Sequence, residues 1–335
     1  MMQRMKIDIS AWTIVKIVLI LAAFYALYMV RDVAALLFIV LILVATCSAT
    51  VDKWAKKITR PGAVIAVLLI ILITIGAAIW LIIPPLISQS VQLVQSIPDY
   101  LHRISFVRNY LPDIKSNLSN YSSQLGNISS SLISFTTGIF GGIVAIVSGL
   151  VMFVYLLLDT DGLKKTVLSL FPGSKRSVAS DFFGKVSLKA GNWMRGQLLL
   201  GAIIGTIDLI GLLIIGVPYA LTLAVMSAFM ELIPTIGPVI SGLLAALVAL
   251  SLSPIKAIIV IAMYILVQQL ENNLIVPKVM QKAVGLSPAI IIVAILIGAK
   301  LYGIIGIILS VPIAASFMVL LQEWPSVRSL LEQDE

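Results

Sequence analysis

Glu231-Leu-Ile-Pro234-Thr-Ile-Gly237-Pro238 breaks an apolar run that begins at Tyr219, and Gln268-Gln269-Leu-Glu271-Asn272-Asn273 follows in the next run, just before Pro277-Lys278. Proline removes a backbone donor, and an ionised carboxylate at mid-bilayer costs about 3 kcal/mol or more, so neither stretch suits a helix facing lipid. Irregular backbone persists in a membrane where it is buried in protein or lines a cavity. These residues therefore mark a candidate substrate or ion site, and the rest of the chain reads as its frame.

That frame belongs in a bilayer. Of 335 residues 60% are hydrophobic and 11% charged, which leaves too little polar surface to cover a soluble globule. Long Leu, Ile, Val and Ala runs without strict alternation predict helical spans rather than a β-barrel. The expected fold is all-α: a polytopic helical membrane protein with about six to eight membrane segments, including two interrupted, re-entrant helical pairs. The net charge of +8 comes from basic residues flanking apolar segments, which fits lipid headgroups as partners and not nucleic acid. Cys47 is the sole cysteine and His102 the sole histidine, so an intrachain disulfide, a CxxC site and a His-rich metal site are excluded. No Walker A pattern couples the chain to ATP, no cofactor is expected, and no nucleophile, base and orienting group assemble into an enzyme site.

Residues 1–83 read as an N-terminal three-span unit. Spans 7–30 and 33–50 form a hairpin joined at Arg31-Asp32, and the basic start of the chain reads as part of the first span, not as a cleaved leader. Lys53, Lys56, Lys57 and Arg60, with Arg4 and Lys6, place the N-terminus and this loop in the cytoplasm. The third span is expected to end at Pro84-Pro85. Residues 84–136 form an extracytoplasmic helical segment in which Ile114, Leu118, Tyr121, Leu125, Ile128, Leu132 and Phe135 alternate in steps of four and three. Such a heptad seam packs either on another copy, making a homo-oligomer, or on the segment 88–109 of its own chain.

A fourth span, 137–158, carries Gly138 and Gly142, and the next carries Gly201 and Gly205, a spacing that lets helices approach closely. Between them, residues 159–196 form a basic amphipathic cytoplasmic segment, with Val178, Phe182, Phe183, Val186 and Ala190 on one face. Residues 197–322 are the core, followed by a cytoplasmic tail, 323–335. Asp208 lies near mid-span. Runs 219–233 and 238–252 are each too short to cross and predict a hairpin around Glu231, Pro234, Gly237 and Pro238. A full span, 254–275, then carries Gln268, Gln269, Glu271 and Asn272. The pattern recurs in 288–299 and 303–321, interrupted at Lys300-Leu-Tyr-Gly303; paired interruptions of this kind point to a transporter site between repeats. If both pairs are hairpins, Lys278 and Lys282 lie in the cytoplasm with the other basic loops. If both are full spans, those lysines lie outside.

Trp193-Met-Arg195-Gly196-Gln197, Gly216-Val-Pro218-Tyr-Ala, Glu231-Leu-Ile-Pro234-Thr-Ile-Gly237-Pro238, Gln269-Leu-Glu271-Asn272-Asn-Leu-Ile-Val-Pro277-Lys278, Val284-Gly285-Leu286-Ser287-Pro288 and Gly303-Ile-Ile-Gly306-Ile-Ile-Leu-Ser-Val-Pro312 resemble the successive motifs of the AI-2E family, the autoinducer-2 exporter-like permeases. The resemblance implies a prokaryotic inner-membrane protein, forming homo-oligomers, that moves small solutes: autoinducer-2 for some members, sodium against protons for others. Ser287 stands where the family usually has His, and Leu158-Asp159-Thr-Asp161-Gly162 modifies its Asp-Gly turn.

Three functions compete at this point. The first is export or facilitated passage of a small polar solute, with Glu231, Glu271, Gln268, Gln269 and Asn272 supplying hydrogen bonds near Pro277 and Lys278. The second is cation-proton antiport through Asp208, Glu231 and Glu271. The third is a non-transporting scaffold. Against any transport role, Asp208 could be a structural partner of a Lys or Asn, and the two glutamates could cap half-helices or pair with Lys278 or Lys300.

Overall fold

The computed structural model describes residues 29–103, 144–280 and 285–324, with Val18, Ala22, Tyr25 and Arg328 as isolated positions, and the backbone alone over 85–103 and at Pro288. The heptad seam from Ile114 to Leu132, most of the first span, Gly138, Gly142 and Lys282 lie outside these residues. Among the described residues there is no strand.

Helix α1 (Arg31–Ala55) turns into α2 (Arg60–Arg103). The backbone of α2 continues as helix through Pro84-Pro85 to Arg103, past the prolines that the sequence reading took as the end of the third span. Proline fixes φ at a helical value, so a continued helix gives up hydrogen bonds without having to break. Helix α3 (Val144–Leu158) meets α4 (Thr160–Ser169) at 89°. Two side chains build that corner. The Asp159 carboxylate accepts from the Gly162 N–H at 2.9 Å, and a Cβ on Gly162 would collide with it. Arg60 donates to the Leu157 and Leu158 carbonyls at 3.1 and 3.0 Å, to the Thr160 hydroxyl at 2.6 Å and to Asp52 at 3.0 Å. This closes the end of α3 whose carbonyls have no helical partner. Val40, Val44, Val51, Val64, Phe153 and Leu157 form the buried core of this unit.

Helix α5 (Arg176–Ile215) is a single helix of 40 residues. The sequence reading separated a basic surface helix from a span at Gly196-Gln197. The two are continuous, because no proline or left-handed residue intervenes and each glycine there is packed: Gly191 on the Ala45 backbone, Gly196 on Met280. Arg195 donates to the Thr46 and Ala45 carbonyls at 2.8 and 2.7 Å, joining α5 to the middle of α1. The helix ends at Gly216, whose φ of +72° lets Val217 N–H reach back to Leu212 O at 3.0 Å.

Helices α6 (Ala220–Met230) and α7 (Ile236–Leu250) are 11 and 15 residues long, roughly 16 and 22 Å, short of a 30 Å hydrocarbon core. They fold back on each other. Ala220, at the start of α6, and Ala249, at the end of α7, share one core cluster with Leu212 and Ala257. The Lys256 ammonium, in the first turn of the following helix, donates to Gly216 O at 3.1 Å. The hairpin thus enters and leaves at the same end of the bundle. Helix α8 (Pro254–Val279) crosses back, with a π-helical turn over Glu271–Ile275.

Helix α9 (Pro288–Gln322) is long and apolar enough to be one span, yet it reverses at Tyr302 and Gly303 (φ −139° and +58°). A Cβ on Gly298 would lie 3.2 Å from the Ser310 Cβ and collide with the Gly306 backbone. In a straight helix residues 298 and 310 would be about 18 Å apart. This second hairpin starts beside the basic end of α5: Lys185 pairs with Glu323 at 2.7 Å, and Gly285 stands by the Lys189 ammonium. Both predicted pairs are therefore hairpins, and they enter from opposite ends.

Candidate functional site

The first hairpin is held against α5 by small residues. Gly201 and Gly205 lie on the α6 backbone, and a Cβ on Gly205 would sit 2.8 Å from the Ala228 Cβ and 2.9 Å from Ala224 O. In lipid, contact of this kind replaces the hydrophobic force that drives packing in water. At the tip, the Gly237 N–H donates to Ile233 O at 2.9 Å, and Gly237 lies so close to the Met230 carbonyl that no side chain fits. Thr235 takes a φ of +68° in this turn. The closed tip buries Glu231 and Gly237, half-buries Pro234 and Pro238, and exposes Thr235.

Beneath the tip lies a sealed polar cluster. Asp208 from α5, Glu231 from the tip and Glu271 from α8 are 1%, 1% and 5% exposed, and Glu231 faces both other acids. The Gln197 side chain, 2% exposed, donates to the Glu231 backbone carbonyl and lies 3.4 Å from its Oε1. Gln268 Nε2 donates to Glu271 Oε2 at 3.1 Å and to Asn272 Oδ1 at 3.4 Å. The Ser227 and Tyr264 hydroxyls face the Asp208 carboxylate and Glu271 faces Glu231, although no hydrogen bond of ordinary length and angle reaches Glu231 Oε2 or either Asp208 oxygen. Leu232, next to Glu231, packs against a cluster built from Ile42 of α1, Ala190, Trp193 and Met194 of α5, and Leu309, Val311 and Ala315 of the second hairpin, so both hairpins border one apolar cluster on α5 near the acids.

Asp208, Glu231, Gln268 and Glu271 are thus brought together, with Asn272 at the edge. Gln269, Asn272, Pro277 and Lys278 are exposed, and the last two lie past the π-helical turn toward the basic end. Neither glutamate forms an ion pair among the described residues. Glu231 sits at the C-terminal cap of α6, an end whose dipole disfavours an acid, so helix capping does not explain it. Asp208 is faced by Ser227 and Tyr264 rather than by a Lys or Asn. Ser287 caps the second hairpin, accepting from the Ile290 N–H at 3.4 Å.

Gln197, Ser227 and Tyr264 complete the cluster without having been singled out as site residues. For Ser227 and Tyr264 the one signal was polarity inside otherwise apolar helices, whereas Gln197 also closes the Trp193–Gln197 motif. Among the described residues no group of three His, Cys, Asp or Glu is arranged to hold a metal ion. An apolar groove of about 330 Å³, lined by Phe182, Phe183, Val186, Ile313 and Phe317, lies elsewhere, at the basic end.

Comparison with known proteins places this geometry in context. A family model described as AI-2E family transporter matches residues 15–326. "Putative transport protein YrrI" of Bacillus subtilis (strain 168) is 35% identical over 52% of this chain and 50% of its own length. "Putative permease PerM" of Escherichia coli (strain K12) is 27% identical over 52% and 50%. "Putative transport protein BpOF4_00890" of Alkalihalophilus pseudofirmus is 25% identical over 92% of this chain and 86% of its own length. The chain spans about half the length of the first two relatives.

Proposed function

The chain belongs to the AI-2E family of transporters, and on that premise we propose that it passes a small polar solute of the autoinducer-2 kind across the prokaryotic inner membrane, without ATP. The supporting observation is the pair of hairpins entering from opposite ends and bordering one cluster on α5 at Leu232, beside the buried Glu231 and Glu271 with Gln268 bonded to the latter. Opening the first hairpin would expose the cluster toward the Gly216 end, and moving the second would expose it toward the basic end. A polar site reachable alternately from two sides is what solute passage requires. The glutamates and Gln268 supply hydrogen bonds to hydroxyl groups, which replace the water the solute leaves behind. The basic loops around Arg60, Lys185 and Lys278 support the basic end as the cytoplasmic one, because cytoplasmic loops carry an excess of Lys and Arg.

Cation-proton antiport is the second reading, favoured by three buried acids with no cationic partner among the described residues. Purified protein in proteoliposomes tests both. Autoinducer-2 flux lost in Glu231→Gln and Glu271→Gln supports solute passage. Sodium-driven proton movement without solute flux replaces it with antiport, and neither flux in a folded, oriented preparation refutes both.

A further inference from the structure

The returning arm of the second hairpin meets α5 at the basic end without closing on it. Phe182, Phe183 and Val186 of α5 and Ile313, Phe317 and Leu320 of α9 line an open groove of about 330 Å³, and Phe183, Ile313 and Phe317 are 41%, 49% and 57% exposed. The gap persists because the Phe183 ring is engaged elsewhere, edge to face with Phe182 at 5.4 Å and with Phe171 at 6.1 Å. Ser316 also lines the groove, but its hydroxyl donates to Pro312 O at 2.8 Å and so is used within its own helix. From Ile313 to Leu320 the groove follows the arm for about 10 Å, the course of an acyl chain beside a span.

The shallow end of the groove is bridged by charge. Lys185 of α5 pairs across the two walls with Glu323 at 2.7 Å. Glu323 is the C-terminal cap of α9, an end whose dipole and unpaired carbonyls favour a cation. The pair uses Oε1 of the carboxylate, which leaves Oε2, the helix-end carbonyls and two ammonium N–H groups for other partners. Trp324, 49% exposed, follows at once, and tryptophan favours the headgroup level of a bilayer.

We propose that this groove binds one phospholipid with a zwitterionic aminoethyl phosphate headgroup, an acyl chain lying between the two walls. The lipid phosphate accepts from Lys185, and its primary ammonium donates to Glu323 Oε2 and the end of α9. The charge pattern selects this occupant. An anionic lipid would set its phosphate near Glu323 and Asp181, which is exposed one turn before Lys185 on α5, with no cation of its own to offset them. A quaternary headgroup has no N–H to give the carboxylate. The lipid touches α5 and the returning arm alike, so by reciprocity its binding favours the second hairpin in place. The site does not depend on which solute is carried.

The test is thermal unfolding of the delipidated full chain in detergent, titrated with phosphatidylethanolamine, phosphatidylcholine or phosphatidylglycerol carrying the same acyl chains. A ligand that binds only the folded state raises the midpoint in a saturable way. Phosphatidylethanolamine should act at about one tenth the concentration of the other two, the difference made by one charge-assisted hydrogen bond. Glu323→Gln should erase most of that preference, and Ser316→Phe, which fills the groove, should weaken the response to all three. Glu323→Gln lies at the mouth and keeps the test decisive if Ser316→Phe does not fold. Phosphoethanolamine without acyl chains should give no shift at these concentrations; a shift as large as the lipid's would remove the groove from the site and overturn the proposal. Equal responses to the three lipids, the mark of a general lipid shell only, overturn it, as does a preference undiminished in both variants. No response to any lipid also overturns it, as when the tail 325–335 or a second copy fills the groove.

Discussion

Gln197→Leu should release the tip of the first hairpin. The wild-type amide donates to the Glu231 carbonyl and lies 3.4 Å from Glu231 Oε1, and both residues are at most 2% exposed. Leucine keeps the volume but leaves a buried carbonyl without its donor, which costs about 1 to 3 kcal/mol. The cost falls on the closed hairpin only, because an open tip can hydrogen-bond to water. The closed-to-open ratio should therefore fall by about 5- to 150-fold. Ile233, 8% exposed at the tip, supplies a reporter. With Cys47→Ser and Ile233→Cys, modification by a small hydrophilic thiol reagent should accelerate by that factor when Gln197→Leu is added. Equal or slower modification in the leucine variant would refute the idea that this amide latches the hairpin.

Other outcomes follow from the same contacts. Cysteines at Tyr219 and Lys256, in a Cys47→Ser background, should react with a membrane-impermeant reagent from the same side, and one at Lys278 from the other; Tyr219 and Lys256 on opposite sides would show that the first pair is a full span. Gly237→Ala puts a methyl group into the Met230 carbonyl and 3.1 Å from Glu231 N, so solute flux in proteoliposomes should fall by at least about tenfold, as expected of a misplaced binding group. Full flux would show that the tip tolerates rearrangement. Arg60→Ala removes the donors that close α3 and should destabilise by about 1 to 3 kcal/mol, read as a lower unfolding midpoint in detergent. Arg60→Lys should recover only part of this, because an ammonium lacks the planar fork.

The breaks around Glu231 and Lys300 were visible in the sequence because Pro, Gly and charge cannot be hidden in lipid, and their placement at the tips of two hairpins follows from run length. Gly201 and Gly205 were likewise readable as a close-packing face. Pro84-Pro85 misled, since a proline pair weakens a helix without always ending it. The continuity of α5 across Gly196 was hidden for the opposite reason: those glycines look like breaks until Ala45 and Met280 are seen packing on them. Ser227 and Tyr264 carry little signal alone. Only the fold sets Asp208 against them, across roughly 20 and 56 residues of chain.

The two inverted hairpins also constrain how the protein is made. Arms of 11 and 15 residues are too short to be threaded across a bilayer one after the other as they leave the ribosome. These lengths predict that α5 and α8 are inserted as spans before the arms between them leave the Gly216 surface. The first hairpin then slides in along α5, where Gly201 and Gly205 leave a smooth track for the Ala224 and Ala228 backbone. Its tip, carrying a carboxylate, leads along that path and ends against the Gln197 amide. The expected order is therefore insertion of the spans first and docking of the hairpin second. A slow gain of protease resistance at the hairpin, after the spans are in place, would be its signature in a pulse-chase experiment.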